Sequence, residues 1–357
     1  MNDEVYEQLA DALNRLPNAF PRTPSNIEIP MLQKIFSEDE AALACHLTGT
    51  METEDVIAER TGLEIDGVKK RLMALVKRGF VWLSKEEGKL RFRLAPFIVG
   101  IFETQLESMD HEFAHFYEEY MADGGAVGIM KPQPAIHRVV PAKGAVKTEW
   151  ILPFDDVRAL FIAAKTFSVR DCICRVQQDL LGQRKCDFPL KNCLSFSSID
   201  RPSRPEDITK EQALAILDKT EDLGLVHTVS NIIKGIFYVC NCCGCCCGIL
   251  RGINEAGIEK SVAAANYFTV IDPDECTECG ICIERCQVHA ISEKDGKTVT
   301  ERKKCIGCGL CVTGCPNDAV RLQKKPDAEI IHPPDDFAAW ERERLQNRGL
   351  EKRGDKI

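Results

Sequence analysis

The placement of the cysteines constrains this chain more than any other feature. It has nineteen among 357 residues, and all except Cys45 fall between Cys172 and Cys315. Thiols crowded into one stretch are either a disulfide framework or ligands. The opening residues, Met1-Asn2-Asp3-Glu4, are acidic with no apolar run behind them. No secretory signal is expected, and a reducing, cytoplasmic setting follows. Ligation is then the expected role of the thiols, with an N-terminal part nearly free of cysteine and a C-terminal part built around metal.

Two stretches have a regular pattern. Cys276, Cys279, Cys282 and Cys286 are spaced C-x2-C-x2-C-x3-C, and Cys305, Cys308, Cys311 and Cys315 repeat it 29 residues later. A tight loop with thiols at every third residue surrounds one [4Fe–4S] core with three ligands, and the fourth comes from the other loop. On that rule Cys276, Cys279, Cys282 and Cys315 hold one cluster, and Cys305, Cys308, Cys311 and Cys286 hold the second. Gly280, Gly307 and Gly309 let the backbone pass close to such a core. Residues 270–323 resemble the bacterial two-cluster ferredoxin domain. They depart from it after Cys286, where Gln287 replaces proline.

Upstream, Cys240, Cys243 and Cys246 again obey C-x2-C-x2-C and Cys242 and Cys245 offer a second C-x2-C displaced by two residues, while the remaining spacing is irregular. Cys240, Cys242, Cys243, Cys245, Cys246 and Cys247 occupy one short run, preceded by Cys172, Cys174, Cys186 and Cys193. Adjacent cysteines point in divergent directions, so one loop can serve two centres. Ten thiols suit two further [4Fe–4S] clusters, one cluster with an unusual core, or a zinc-holding thiol group. The partition of ligands stays open on sequence grounds. Arg170, Arg175, Arg184 and Lys185 would offset the negative charge. Cys242-Cys243-Gly244 is similar to the CCG elements of heterodisulfide-reductase-type subunits, although the remaining spacing departs from that family. Taken together, residues 90–325 resemble a group of anaerobe-type 4Fe-4S binding proteins, which implies cluster binding and electron transfer.

The N-terminal part carries helical periodicity at Val5, Leu9, Leu13 and Leu16, then Pro17, Pro21, Pro24 and Pro30. Segment 37–99 reads as three helices and a hairpin. Ser37 and Glu40 form a capping box, Thr61-Gly62 makes a turn, and Val68, Leu72, Leu75 and Val76 share one helix face that stops at Gly79. Runs 80–83 and 90–94 are strand-like. These parts resemble a bacterial winged helix-turn-helix. The charge balance disfavours DNA: Glu38–Leu94 holds ten basic and eleven acidic side chains, and phosphate binding needs a positive face. His111-Glu112-Phe113-Ala114-His115 matches the H-E-x-x-H zinc pattern. No third ligand in a fitting context follows it, so a linker helix is the expected role.

The fold expected is α+β. Residues 1–36 form a helix and Pro-rich connector, 37–99 a winged-helix-like domain, and 100–125 a linker helix. A cysteine-rich α+β domain follows over 126–264, then a two-cluster ferredoxin fold over 265–325 and a charged tail over 326–357. Within these, 135–140 and 150–152 read as strands, 155–165 as a helix, 166–169 as a strand, and Thr209 as the cap of a helix ending near Gly224. Asp335–Arg348, with Phe337 and Trp340, reads as a helix that is solvated by default, with docking on the body or on a partner as the alternative. No apolar run reaches membrane length, and the net charge of −9 argues against coating nucleic acid or anionic lipid. The composition carries no Gly-rich nucleotide fingerprint and no haem-attachment motif. An electron-transfer protein or redox subunit serving a partner oxidoreductase or electron carrier is therefore expected. The alternatives are a redox-sensing winged-helix regulator and a catalytic six-cysteine centre.

Overall fold

A computed structural model describes residues 3–350. The chain divides into two compact units, one of Met1–Pro132 with Glu341–Ile357, the other of Gln133–Trp340. Met1, Asn2 and the final seven residues of the 326–357 segment lie outside the described residues. Helices and strands are mixed throughout, an α+β composition. Among the described residues, no helix is long and apolar enough to cross a membrane.

The first unit opens with a helix over Asp3–Asn14 that buries Tyr6, Leu9 and Leu13. The proline-rich connector is only partly extended, since Glu28–Ile35 is a second helix. Pro30 lies in its first turn, where a missing N–H costs nothing. Three helices follow, over Glu38–Ala44, Glu54–Thr61 and Ile65–Arg78. The Ser37–Glu40 capping box is formed, and Gly62 and Gly79 end the last two helices in the left-handed conformation. Strands β1 (Val81–Glu86) and β2 (Lys89–Leu94) make an antiparallel hairpin. Segment 100–125 is interrupted: Asp110 accepts from the Phe113 N–H at 2.9 Å and starts a fresh helix over His111–Tyr120. A local capping hydrogen bond thus overrides the helical pattern there.

The tail helix, Phe337–Asn347, departs from the solvated expectation. Trp340 is buried and its indole donates to the Ala135 carbonyl at 2.9 Å. Arg344, also buried, donates to the carbonyls of Pro17, Pro132 and Ile129. The long side chains bury apolar stems and spend their charge on backbone carbonyls, which composition alone does not reveal.

The second unit is organised by a six-stranded sheet. Its strands are β3 (His137–Val140), β4 (Thr166–Asp171), β5 (Lys191–Ser197), β6 (Asp207–Ile208), β7 (Val226–Ser230) and β8 (Tyr238–Cys242). They lie in the order β3-β7-β8-β5-β4-β6, and every pairing is antiparallel. The strand expected over 150–152 is absent; Thr148–Trp150 is a single tight helical turn. Helix Val157–Ala163 and helix Lys210–Asp222 follow the expected positions, and the Thr209–Gln212 capping box closes the latter. Beyond the sheet, β9 (Tyr267–Ile271) pairs with β12 (Val320–Lys324), and β10 (Ile291–Lys294) pairs with β11 (Lys297–Thr300). The 29-residue repeat is visible in the backbone. Gly280 and Gly309, both at positive φ, start equivalent one-turn helices, and His289 and Asp318 share a left-handed conformation.

Candidate metal centres

In the ferredoxin-like lobe the two cysteine runs exchange their last members. One cavity is lined by Cys276, Cys279, Cys282 and Cys315, with Gly280 beside them. Another is lined by Cys286, Cys305, Cys308 and Cys311, with Gly307 and Thr269. Each encloses about 300 Å3 of space free of protein atoms, open solvent at its mouth included. Gly307 is needed at its position: its φ is +69°, and a Cβ would stand 2.5 Å from the Tyr267 carbonyl oxygen. Four soft thiol donors around a glycine-lined cavity are the donor set of a [4Fe–4S] core.

The two cavities differ in surroundings. Cys279 is exposed, whereas Cys311 is buried, and burial pushes its thiol up to about 12. Around the second cavity the chain supplies donors to sulfur. Thr269 Oγ1 is 3.3 Å from Cys311 Sγ and 3.6 Å from Cys305 Sγ, and the Ala290 N–H donates to Cys286 Sγ at 3.1 Å. Hydrogen bonds of this kind stabilise added negative charge on a sulfur-bound centre.

The ten upstream cysteines separate into two groups. Six form a closed ring of thiol contacts running Cys172, Cys174, Cys247, Cys242, Cys240, Cys193 and back to Cys172. The sheet accounts for their meeting. β8, β5 and β4 are neighbours, and Cys240 and Cys242 lie two apart on β8, on one face. Cys193 pairs with Arg170, next to a bulge at Arg170/Asp171. Cys172 follows directly and precedes helix Ile173–Leu180, which carries Cys174. Cys172 and Cys242 are held below the ordinary thiol range by neighbouring thiols, Cys242 at about 6. Cys174, Cys193 and Cys240 are correspondingly pushed up.

The other four, Cys186, Cys243, Cys245 and Cys246, have all their sulfurs within 4.8 Å of one another. No other group of three or more potential ligands among the described residues is packed this tightly. Cys243 and Cys246 are buried with Leu225, and Phe188 packs against them. Cys243 is held far below the thiol range, first by Cys245 and Cys246 and then by Arg175.

Arg175 is fully buried. Its guanidinium donates to the carbonyls of Pro189 and Asn241 at 3.2 and 3.0 Å. Desolvation acts against its charge, but Cys172, Cys243 and Cys242 outweigh it and hold the group protonated. Arg175 therefore serves both the ring and the quartet. Its Nε and both side-chain polar atoms of Asn192, beside Cys193, are buried with no protein partner among the described residues, as befits groups facing a bound centre. Arg184 reaches Cys186 and Asp179. Arg170 and Lys185 are exposed at the surface.

Sequence reasoning missed the part played by Gln287. Its Oε1 accepts from the Gly244 N–H at 2.8 Å, and Asn254 Nδ2 donates to the carbonyls of both Gln287 and Gly244, at 3.0 and 3.1 Å. The residue that departs from the ferredoxin pattern thus joins the Cys286 loop to the Cys243–Cys246 loop. Proline has no side-chain amide and could not do this. The lobe is held a second time by Arg285, which donates to the Leu310, Glu221 and Asp222 carbonyls at 2.7–2.8 Å.

The H-E-x-x-H residues do not converge on a site. His111 and His115 are exposed on the helix surface, and Glu112 pairs with Lys34 at 2.5 Å.

Residues 268–329 match the family model described as a 4Fe-4S dicluster domain. That stretch is a ferredoxin-type domain, and iron–sulfur clusters are its cofactors. Neither the curated proteins nor the solved structures gave a match to the chain.

Proposed function

We propose that the protein is an electron carrier or redox subunit that relays single electrons through several iron–sulfur centres to or from a partner oxidoreductase. The observation that carries this reading is the Gln287 connection. It places a hydrogen bond between a ferredoxin loop and the loop that also carries the ring thiols Cys242 and Cys247, a short covalent and hydrogen-bonded path from Cys286 through Gly244 to Cys242.

A [4Fe–4S] cluster, when bound, takes up and gives up one electron at a time. In this reading Cys276, Cys279, Cys282 and Cys315 hold the outer cluster, where exposed Cys279 lets a partner approach. Cys286, Cys305, Cys308 and Cys311 hold the inner one. Thr269 and the Ala290 amide favour its reduced state by donating to sulfur. The six-thiol ring takes a further iron–sulfur centre, with Arg175 as buried counter-charge.

The three helices and hairpin of the first unit are read as a winged-helix-like docking module. Five of their ten basic groups are engaged in ion pairs within the unit, Arg60 with Glu52 among them. Lys69 pairs with Glu54 at 2.9 Å, Arg91 with Glu86 at 3.2 Å, Arg93 with Glu341 at 2.9 Å, and Arg78 with Glu40. Side chains so paired are poorly placed to neutralise phosphates. The test is a stepwise anaerobic reduction followed by EPR. Two or more centres that accept electrons in turn, with magnetic interaction between them, support a relay. A protein whose centres do not accept electrons reversibly refutes it.

A further inference from the structure

We propose that Cys186, Cys243, Cys245 and Cys246 hold one thiophilic metal ion, zinc or iron, in a closed tetrahedral site, and not an iron–sulfur cluster. Distances carry the proposal. Around one ion with metal–sulfur bonds of about 2.3 Å, tetrahedral geometry sets each sulfur–sulfur edge near 3.8 Å. Cys186 Sγ lies 3.9 Å from Cys243 Sγ and 3.8 Å from Cys246 Sγ, and Cys245 and Cys246 sulfurs are 3.6 Å apart. A cubane carries its thiolates outward from its iron corners, which spreads them to roughly 6 Å apart. Such a core does not fit among sulfurs that all lie within 4.8 Å of one another. The thiols of the ferredoxin-like cavities form no group this tight among the described residues.

Charge agrees with the distances. Four thiolates around a divalent ion leave a net charge of about −2. Two guanidiniums meet it: Arg175 contacts Cys243 and Arg184 contacts Cys186. Tetrahedral four-sulfur coordination selects zinc or iron. With all four positions taken by protein, the ion has no open site and its role is structural. The chain order gives that role a purpose. Ring ligands Cys242 and Cys247 flank quartet ligands Cys243, Cys245 and Cys246 along one loop. An ion gripping the quartet therefore fixes the path of the loop, and with it the positions of two ring thiols.

The proposal goes beyond the electron-transfer reading, and either can fail alone. The test measures zinc, iron and acid-labile sulfide per chain in the full-length protein, purified without air. Wild type is compared with Cys186→Ser and Cys245→Ser, which alter the two less buried ligands. Each variant is expected to lose one metal equivalent that no sulfide accompanies, over and above any iron and sulfide lost together from the ring. Loss of about four irons together with about four sulfides overturns the proposal and leaves the relay standing; so does no loss of metal at all. Spectroscopy of the unaltered chain keeps the question open to test if the variants do not fold. Zinc-edge X-ray absorption, or Mössbauer spectra if the ion is iron, is expected to show a centre with four sulfur neighbours and no nearby metal. Absence of such a centre overturns the proposal.

Discussion

The two thiol-rich regions of the second unit use the same residue and much of the same C-x2-C spacing, yet they arrange sulfur differently. In the ferredoxin-like lobe each cavity is built from both repeats, and its thiols stand apart around open space. In the upstream region one short loop divides its cysteines between a closed ring and a tight quartet. Spacing along the chain therefore tells that metal is bound, whereas spacing between sulfurs tells how many metal atoms fit. The local backbone decides the second quantity. Left-handed glycines and one-turn helices spread the ligands in the lobe, and consecutive residues of a turn crowd them upstream.

The largest effect that would sharpen this contrast comes from the lobe. Cys311→Ser is expected to remove roughly four irons and four sulfides per chain, leaving the metal of the quartet in place. Loss of the quartet metal in the same variant would show that the two regions are not separate centres.

Next comes Arg175, which serves only the upstream region. Arg175→Met strips a buried counter-charge from thiolates on both sides of it, a change of about 3–5 kcal/mol by analogy with broken buried ion pairs. Upstream metal should fall while the lobe keeps its iron, as read by metal analysis and denaturant unfolding. Arg175→Lys should not restore it, because one ammonium cannot make the same spread of hydrogen bonds.

Gln287 joins the regions, so its replacement separates connection from assembly. Gln287→Leu removes one hydrogen bond worth about 1 kcal/mol and should leave metal content intact. The magnetic interaction between the inner ferredoxin cluster and the ring centre should weaken in EPR. Unchanged coupling would place the electron path elsewhere.

The smallest effect concerns His137, separated from the ring thiol Cys242 by Thr228, whose hydroxyl contacts both. Burial holds its pKa down to about 4, and its ring contacts Tyr238 OH at 2.7 Å and Thr228 Oγ1 at 3.4 Å. A histidine depressed in the folded state binds fewer protons there than in the unfolded chain. Its stabilising effect is present above the unfolded value and is lost as pH falls toward 4. About 1 kcal/mol should vanish between pH 7.5 and 5.5. His137→Gln should flatten that slope in unfolding experiments over this range.

Much of the lobe was legible in sequence because its cysteines are local and its repeat is regular. The crossing of Cys286 and Cys315 to opposite cavities follows from the repeat, and the structure lines the cavities in that way. Helix ends were also legible wherever one side chain decides them, as at Ser37, Thr209 and Gly79. The upstream partition was not, because it depends on three strands spread over Thr166 to Cys242 coming to one end of a sheet. Gln287 read only as a departure from a pattern, since its partner Gly244 is distant in the chain. The burial of Trp340 and Arg344 was not legible for the same reason: a charged tail is buried only by neighbours the tail itself does not encode.

Iron, zinc and acid-labile sulfide counted together on anaerobically purified protein, with EPR during stepwise reduction, test the central claim most directly. Expected are roughly eight irons with matching sulfide from the lobe, more cluster iron from the ring, and one metal ion that no sulfide accompanies. Colourless protein without acid-labile sulfide, or with all its metal in simple four-sulfur sites, would contradict it.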